Sequence, residues 1–509
     1  MSGDTRKLYG PPGTGKTRAL TDLALRAARA FGPERIAAVT FTRTAASELK
    51  ERIASGLGLM LPEAPQARRR YLNQTLPWVG TIHSIALRLI GPSHVLKAAD
   101  LTRFVHDMGG QPSATYADAE DAEGYAWAEP GRDEVEAALA VHAMARHRMI
   151  ELAQAYAEAQ WGFGGPSVSP HQVTHLVRAY ADFKRDLGRI DFEDMLCHGL
   201  DFELPVDCVL GDEVQDNSPL LWAVLDRWSA GKLVALAGDP YQALYIWSGA
   251  SPGLFINHVG QLHRLGDSHR LTQAAADRAQ RTLLEGGYRD DEWLGTWTGT
   301  SQGQMRDGSV FWLARTGRLL QPVRADLEDA GTPYANIRGG GPLATKAADA
   351  YRVLLRLRTR GLVDAQALYH LASQNDLIPK RSVDRLKAIA RQSPDEPFDV
   401  ASAEAQLGIG LGALEDGFRQ GEYFARVFAQ HGPVAFRDPP RVQVGTIHSA
   451  KGREADTVHL VESWGTLPAR ALDEPEGRRA EACVAYVALT RHRHKLQLEP
   501  ADSGTSYPW

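Results

Sequence analysis

The residues with the clearest chemistry stand near the start of the chain, where the sequence reads Gly10-Pro-Pro-Gly-Thr-Gly-Lys16-Thr17. This pattern is typical of a phosphate-binding loop, because its glycines let backbone N–H groups surround a phosphate at a helix N-terminus. Lys16 would contact the β- and γ-phosphates of a nucleotide, and the Thr17 hydroxyl would bind Mg²⁺. The nucleotide-binding residues predicted from this loop are Gly10, Pro11, Pro12, Gly13, Thr14, Gly15, Lys16 and Thr17.

A site that hydrolyses a nucleotide also needs a carboxylate for the metal ion and a group that accepts a proton from water. The segment 208–211 reads as a short apolar strand, and Asp212 and Glu213 follow it directly. Asp212 would position Mg²⁺ through its waters, and Glu213 would take the proton from the attacking water. The two motifs together predict a nucleoside triphosphatase.

These residues need strands that end at a common edge, and the pattern of the chain supplies such strands. Short apolar segments alternate with helical patterns over about the first 55 residues and again from about 205 to 250, which is typical of a parallel α/β sheet. Strand patterns return at 309–314, 442–444 and 457–461. Two mostly helical stretches interrupt these regions, so the sequence predicts two α/β lobes with one helical insertion each.

Composition excludes several other classes of protein. Three cysteines in 509 residues are too few for a disulfide framework or a four-cysteine zinc site. No apolar run approaches the length of about 18 residues that a membrane span requires, and the N-terminal residues do not resemble a secretion signal. We therefore expect a cytoplasmic protein, or a viral protein acting in the host cytoplasm, without a membrane partner. The formal net charge of −5 indicates that any site for a polyanion must be local.

Further segments identify a family. In chain order they read Gly211-Asp-Glu-Val-Gln-Asp216, Gly238-Asp-Pro-Tyr-Gln-Ala-Leu-Tyr-Ile-Trp-Ser-Gly-Ala250, Gly445-Thr-Ile-His-Ser-Ala-Lys-Gly-Arg-Glu454 and Tyr486-Val-Ala-Leu-Thr-Arg491. This ordered set resembles the motifs of the UvrD/Rep/PcrA branch of superfamily 1 DNA helicases. Three more segments occupy the family's places between the first two nucleotide motifs, namely 40–46, 80–84 and 191–196.

The resemblance implies an α/β fold with two RecA-like P-loop lobes built on parallel sheets, each carrying a mostly helical insertion subdomain. The implied boundaries are 1–85 and 176–264 for lobe 1A, 86–175 for insertion 1B, 265–344 and 436–509 for lobe 2A, and 345–435 for insertion 2B.

The resemblance also assigns roles around the nucleotide, with ATP as the substrate and Mg²⁺ as the cofactor. Gln242 matches the family's sensor of the γ-phosphate, and its neutral amide can bond both the phosphate and the attacking water. Arg270 and Arg491 match the two arginines that the second lobe brings to the transferring phosphoryl group. Glu454 matches a carboxylate near the ribose.

The adenine site departs from the family's pattern. Arg18 and His269 match the side chains that sandwich adenine, but relatives usually have tyrosine at the position of His269. The upstream glutamine motif that reads the adenine edge in relatives has no room here, since nine residues precede Gly10. We therefore expect weak discrimination among nucleotide bases.

Single-stranded DNA is the partner that the resemblance implies, held by aromatic stacking that suits any base. Phe41 and Trp247 match base-stacking positions, and Tyr245 lies two residues before Trp247. His83 and His448 each stand in a Thr-Ile-His-Ser tetrapeptide, one in each lobe, and match positions that contact the DNA backbone. The predicted DNA-binding residues are Phe41, Thr42, His83, Tyr245, Trp247, Thr446 and His448.

The implied activity is translocation along single-stranded DNA and 3′-to-5′ unwinding at junctions of single and double strands, by a monomer driven by ATP. Two alternatives stay open: a translocase that strips proteins from single strands without strong unwinding, and an ATPase subunit of a nuclease or defence complex. A nuclease or a single-strand-binding protein would then be the protein partner. A GTPase switch is disfavoured because the chain lacks a guanine-specific Asn-Lys-x-Asp loop.

Overall fold

The computed structural model describes residues 5–111, 133–162, 168–244, 246, 249–288, 297–301, 308–500 and 506–508. Its contacts divide the chain into two compact units. The first comprises Met1–Ala276 and Asp290–Ser301, and the second comprises Asp277–Arg289 and Gln302–Trp509. Each unit contains a parallel sheet with helices around it, so the predicted α/β fold with two sheet-based lobes is confirmed.

The sheet of the first unit has six strands in the order β3-β2-β4-β5-β1-β6, and all of its described pairings are parallel. A separate parallel pair, β7 and β8, follows it. The strands are β1 (Thr5–Tyr9), β2 (Ile36–Val39), β3 (Val79–Gly80), β4 (Cys208–Gly211), β5 (Leu233–Gly238), β6 (Gln261–Arg264), β7 (Asp267–Ser268) and β8 (Thr298–Gly299).

Twelve helices belong wholly or partly to the described residues of this unit, and the last continues into the second unit. They are α1 (Lys16–Phe31), α2 (Arg43–Gly56), α3 (Pro65–Thr75), α4 (Ile82–Ile90), α5 (Ala98–Asp107), α6 (Glu134–Arg148), α7 (Leu152–Gly162), α8 (Pro170–Leu187), α9 (Phe192–Gly199), α10 (Pro219–Ser229), α11 (Pro252–Asn257) and α12 (Gln273–Glu285).

The described residues of the first unit include two apolar cores. Helix α1 places Leu20, Ala24, Ala27 and Ala28 in the core beside the sheet, a spacing of three to four residues that puts them on one helix face. A second core joins α5, α6, α7 and α8, the helices that interrupt the sheet-forming segments in the sequence. Phe104 in α5 packs 5.1 Å from the ring of Tyr180 in α8.

The sheet of the second unit has five strands in the order β10-β13-β9-β14-β15, with parallel pairing throughout the described residues. Strands β11 and β12 form a small antiparallel ladder. The bounds are β9 (Val310–Ala314), β10 (Tyr334–Asn336), β11 (Leu362–Asp364), β12 (Pro397–Asp399), β13 (Val442–Thr446), β14 (Ala455–Val461) and β15 (His492–Glu499).

The remaining helices pack on this sheet or on one another around an aromatic core. Within that core, Tyr351 lies 5.3 Å from Phe424 and 5.8 Å from Phe436, measured between ring centroids. Among the helices of the described residues, none is both long and apolar enough to cross a membrane. The helix bounds are α13 (Gln321–Asp329), α14 (Lys346–Arg360), α15 (Ala365–Ser373), α16 (Lys380–Gln392), α17 (Val400–Leu407), α18 (Gly421–His431), α19 (Thr466–Ala471) and α20 (Pro475–Leu489).

The core beside the first sheet predicts a stability difference between two apolar residues. Ile53 in α2 is 0% exposed, whereas Met60, in the connection that follows, is 91% exposed. We expect Ile53→Ala to lower the free energy of unfolding of the first unit by about 2–5 kcal/mol, because a cavity adds to the lost burial. Met60→Ala should change it by less than about 0.5 kcal/mol. The midpoints of thermal unfolding of the two variants measure this difference in stability, and equal midpoints would contradict the burial of Ile53.

Candidate functional site

The loop between β1 and α1 has the local geometry of an anion site. Gly13 and Gly15 have φ angles of 79° and 84°, in the left-handed region that residues with a side chain rarely adopt. Helix α1 begins directly after Gly15, with no side-chain cap and no acidic residue in its first turn. The first N–H groups of a helix have no acceptor within the helix, so this end is suited to phosphate oxygens.

The ammonium group of Lys16 is held by the loop itself. Lys16 is buried, and its Nζ donates to the carbonyl oxygens of Gly10 at 2.5 Å and Pro11 at 3.3 Å. The Thr14 hydroxyl also donates to Pro11 O, at 2.9 Å. The loop therefore keeps a positive charge beside the N-terminus of α1, where a phosphate would meet both.

Thr17 and Asp212 come together although 195 positions separate them in the sequence. Thr17 Oγ1 donates to Asp212 Oδ2 at 2.8 Å. Asp212 is 7% exposed, and burial, together with the neighbouring charge of Glu213, raises the pKa of its carboxyl to about 6. A hydroxyl and a carboxylate are oxygen ligands of the kind that Mg²⁺ prefers, so this pair fits the predicted metal ion.

Glu213 stands at a strained position of the backbone. Its φ of 54° and ψ of 36° are left-handed, and among the described residues only Met149 shares a positive φ without being glycine. Such a conformation costs about 1–3 kcal/mol and is concentrated at functional sites in proteins. Gln215, which is fully buried, donates from Nε2 to Glu213 Oε2 at 2.5 Å and holds the side chain.

A chain of hydrogen bonds leads from Glu213 to Gln242. The Oε1 atom of Gln215 accepts from the backbone N–H of Asp239 at 3.1 Å, and Asp239 Oδ2 accepts from Gln242 Nε2 at 2.8 Å. The ends of β4 and β5 are thereby connected. Gln215 and Asp239 have no predicted role, although both lie within the family motifs, and their burial and hydrogen bonds place them between Glu213 and Gln242.

The segment after β7 packs on the phosphate-binding loop within the first unit. Ser268 Oγ donates to Pro12 O at 2.7 Å, and the backbone N–H of His269 donates to Gly13 O at 3.0 Å. A Cβ atom on Gly13 would lie 2.5 Å from Arg270 Cβ. Arg270 therefore lies beside the phosphate-binding loop, and its predicted place in the second lobe stays a prediction.

The two side chains predicted to sandwich the base lie on this same side of the first unit. Arg18, in the first turn of α1, and His269, next to Gly13, are both exposed. Thr300 Oγ1 lies 3.4 Å from His269 Nδ1. Their exposure leaves both side chains accessible to a planar ligand.

Two further predicted nucleotide contacts lie in the second unit. Arg491 is 2% exposed, and its guanidinium donates to Val487 O at 3.0 Å and to Thr490 Oγ1 at 3.1 Å. The carboxylate of Glu454 accepts from Arg493 Nε at 2.7 Å. Both side chains are thus engaged within their own unit.

The two Thr-Ile-His-Ser tetrapeptides adopt matching local structures, one in each unit. In the first, Thr81 Oγ1 accepts from Ser84 N at 3.1 Å and Ser84 Oγ donates to Thr81 O at 2.8 Å. In the second, the same atoms of Thr446 and Ser449 are 3.2 and 2.7 Å apart. The first tetrapeptide follows β3 and the second begins with the last residue of β13, so each histidine is carried at the carboxyl edge of a strand.

Both histidines are electrically neutral at neutral pH. Burial, with the nearby His147, lowers the pKa of His83 to about 4. Burial lowers the pKa of His448 to about 3, and the cations Arg315, Lys451 and Arg338 add to this effect. A neutral imidazole can still donate one hydrogen bond to a phosphate oxygen.

A cavity of about 680 Å³ lies beside the predicted DNA contacts of the first unit. Phe41 and His83 line it, together with the basic side chains Arg43, Lys50, Arg69 and Arg88. Lys50 Nζ donates to Asn73 Oδ1 at 2.6 Å, and burial, with Arg88 and Arg69 nearby, lowers the pKa of Lys50 to about 8. The cavity therefore combines an aromatic ring with five basic and four acidic side chains.

Thr42, Tyr245 and Trp247 are the remaining predicted DNA contacts of the first unit. The hydroxyl of Thr42 accepts from Ala45 N at 3.1 Å and caps α2, so it already serves the helix. Tyr245 and Trp247 lie outside the described residues.

Comparison with known proteins agrees with the geometry. Residues 2–262 match the UvrD/REP helicase N-terminal domain, and residues 431–502 match the UvrD-like helicase C-terminal domain. The first match alone covers slightly more than half of the chain.

Individual relatives are distant. The chain is 24% identical to ATP-dependent DNA helicase PcrA of Leuconostoc citreum over 432 residues, which is 79% of this chain and 53% of that protein. It is 26% identical to DNA helicase II of Haemophilus influenzae over 630 aligned positions, covering 97% of this chain and 82% of that protein. The protein YjcD of Bacillus subtilis is 26% identical over 259 residues, or 48% of this chain and 31% of that protein. The chain thus spans about half the length of the PcrA relative and about a third of the length of YjcD.

The loop geometry predicts how Lys16 contributes to nucleotide binding. Adding ATP with Mg²⁺ should raise the unfolding temperature of the wild-type protein, and ligand at about 100 times its dissociation constant stabilises a protein by about 2.7 kcal/mol. Lys16→Met should abolish this rise, because the cation beside the phosphates is lost. The matched control is Arg26→Met, an exposed position of the same helix, which should keep the rise. Wild-type stabilisation of the Lys16→Met protein by ATP would contradict the assignment.

Proposed function

Because the chain belongs to the UvrD/Rep family of helicases, we propose that it is an ATP-driven translocase on single-stranded DNA that unwinds duplexes in the 3′-to-5′ direction. The observation that carries the proposal is the hydrogen-bonded arrangement of Thr17, Asp212 and Glu213 beside the N-terminus of α1. Phosphoryl transfer depends mostly on positioning and on charge, and this arrangement supplies both.

The phosphates of ATP would bind at the N-terminus of α1. Lys16 would exchange its bonds to Gly10 O and Pro11 O for bonds to phosphate oxygens, which are stronger acceptors for an ammonium group. Thr17 and Asp212 would hold Mg²⁺, which neutralises charge that develops on the phosphates during hydrolysis.

Glu213 would act as the general base on the attacking water. Its bond to Gln215 fixes the carboxylate, and a base is effective only when it is held within hydrogen-bonding distance of the proton that it removes. Gln242 lies at the other end of this chain of hydrogen bonds, which passes through Asp239. A γ-phosphate bound to the Gln242 amide would therefore act on the hydrogen bonds that hold Glu213.

The arginines would stabilise the transition state. Arg270 lies beside the loop, on the segment that contacts Gly13. Arg491 donates to Val487 O and Thr490 Oγ1, so it would have to exchange these bonds before its guanidinium could reach a phosphate. This requirement makes its contribution dependent on a conformational change, as is common for enzymes that couple hydrolysis to motion.

The DNA strand would contact each unit at its Thr-Ile-His-Ser tetrapeptide. In the first unit the cavity beside Phe41 and His83 would accept a base and its phosphates, since it joins an aromatic ring to several cations. In the second unit Thr446 and His448 would form the corresponding contact. A strand bound in this way is held by its backbone and ring faces, so binding would not depend on sequence.

Hydrolysis is tested by Glu213→Gln, which keeps the size of the side chain and removes the base. We expect the maximal ATPase rate to fall by about 10²–10⁴-fold, while ATP binding persists. The matched control is Glu203→Gln, an exposed position of the same unit that should retain the wild-type rate. Poly(dT) should stimulate the wild-type rate. A fully active Glu213→Gln protein would refute the catalytic role, and an unstimulated wild-type protein would refute the translocase.

Polarity is tested with duplexes that carry one single-stranded tail. A 3′-to-5′ motor loads on a 3′ tail, so strand separation should require that tail, ATP and Mg²⁺, and chelation of Mg²⁺ should stop it. Faster unwinding from a 5′ tail would overturn the polarity. ATPase stimulation without unwinding of either duplex would instead identify a translocase that does not separate strands.

A further inference from the structure

His147 stands where several motif segments of the first unit meet, although the sequence analysis assigned it no role. It lies at the C-terminal end of α6 and is fully buried. Its Nδ1 atom is 3.0 Å from Ser218 Oγ, within hydrogen-bonding distance, and its Nε2 atom is 3.5 Å from Glu193 Oε1, an electrostatic contact. Its ring centroid is 6.5 Å from that of His83, the predicted DNA contact.

The same end of α6 contacts the segment that carries Trp247 in the sequence. Arg148 Nη2 donates to Ile246 O at 2.9 Å. A Cβ atom on Gly249 would lie 3.5 Å from His147 Cβ and 3.7 Å from Ser218 Cβ. The helix therefore touches residues on both sides of the predicted base-stacking position.

The hydrogen-bond pattern accommodates a neutral His147 between Ser218 and Glu193. Ser218 Oγ accepts from the backbone N–H of Leu221, so its own proton can go to His147 Nδ1. The ring proton then lies on Nε2 and faces Glu193. Burial raises the pKa of Glu193, but its interactions with His147, His142 and the backbone leave that pKa below its usual value. Glu193 is therefore an anion that His147 stabilises.

Ser218 connects His147 to the segment that carries the candidate catalytic carboxylates Asp212 and Glu213. It is the N-cap of α10 and follows the single helical turn Val214–Asp216, which begins directly after Glu213. On the other side, Glu193 interacts electrostatically with both His147 and His83. Glu193 and His83 line the same cavity, so a change of charge in that cavity acts on the contact between Glu193 and His147, which also bonds Ser218.

We propose that His147 is a positioning residue that makes ATP hydrolysis depend on DNA, by connecting His83, through Glu193, to Ser218 behind Glu213. This inference rests on the proposed function and adds to it the residue that couples the two sites. A DNA phosphate at His83 adds negative charge to the cavity that Glu193 also lines, so it repels the Glu193 carboxylate and changes its contact with His147. His147 transmits that change to the segment that carries the general base, so the coupling has a definite physical path.

Two substitutions of His147 each keep one of the two contacts of its ring and remove the other. His147→Asn retains an amide near the position of Nδ1, beside Ser218, and His147→Gln retains one near the position of Nε2, beside Glu193. The measurements are the ATPase rate without DNA, the rate at saturating poly(dT), and the concentration of poly(dT) that gives half of the stimulation. Both variants should keep a basal rate within about twofold of wild type and lose about 10-fold of the stimulation at saturation.

Two further proteins make the test specific. Val141→Ala removes buried volume from the same helix without a polar contact, so it should lower the unfolding temperature yet keep the stimulation. Glu193→Gln removes the charge that His147 stabilises, and should lose stimulation as the His147 variants do. If the His147 variants fail to fold, Glu193→Gln alone decides the question.

Three results would overturn the inference while leaving the proposed function intact. The first is that poly(dT) stimulates the ATPase rate of the variants as strongly as that of the wild type. The second is an equal fall of the basal and the stimulated ATPase rates. The third is a weaker affinity for poly(dT) with full stimulation at saturation. The second result would indicate a structural role, and the third a DNA contact. A wild-type protein that poly(dT) does not stimulate would refute the proposed function itself, and the inference with it.

Discussion

The hydrogen bond between Thr17 Oγ1 and Asp212 Oδ2 is the interaction on which the candidate site depends. It joins the first turn of α1 to the end of β4, although β5 lies between β1 and β4 in the sheet. The two residues meet because the carboxyl ends of parallel strands share one edge. The pairings of β5 with both neighbours therefore hold the site, and a shift in the register of either pairing would separate the hydroxyl from the carboxylate.

Around this bond the site accepts two unfavourable features, a strained backbone at Glu213 and several polar side chains with little access to water. Asp212, Gln215, Asp239 and Gln242 are all less than 10% exposed. Buried polar groups are costly unless they bond to one another, and these bonds form one connected chain. A connected, desolvated network keeps its dipoles fixed, so it needs little reorganisation when charge develops on a phosphate.

The parts of the site that depend on local sequence could be predicted, and the parts that depend on distant packing could not. Glycine spacing fixes the loop before α1, and the Thr-Ile-His-Ser tetrapeptide gives the same two hydrogen bonds in both units because all four groups lie within four residues. His147 gave no such signal. Buried residues lie on several faces of α6, so no apolar stripe distinguishes one position, and the partners of His147 lie in other segments of the sequence. The place of Arg270 likewise follows from bonds of Ser268 and His269 that no motif spells out.

The net charge of −5 says little about a local site, because charged side chains from α2, α3 and α4 line one cavity of the first unit. The cavity with Lys50 and Arg88 has one wall from α2 and α4 and another from α6 and α8, which contribute His142 and Tyr180. Helix α6 thus supplies a wall of the cavity and also His147. A displacement of this helix would change the width of the cavity and the hold on Ser218 together. Under the proposed function, a displacement of α6 would therefore alter strand binding and the geometry behind Glu213 together.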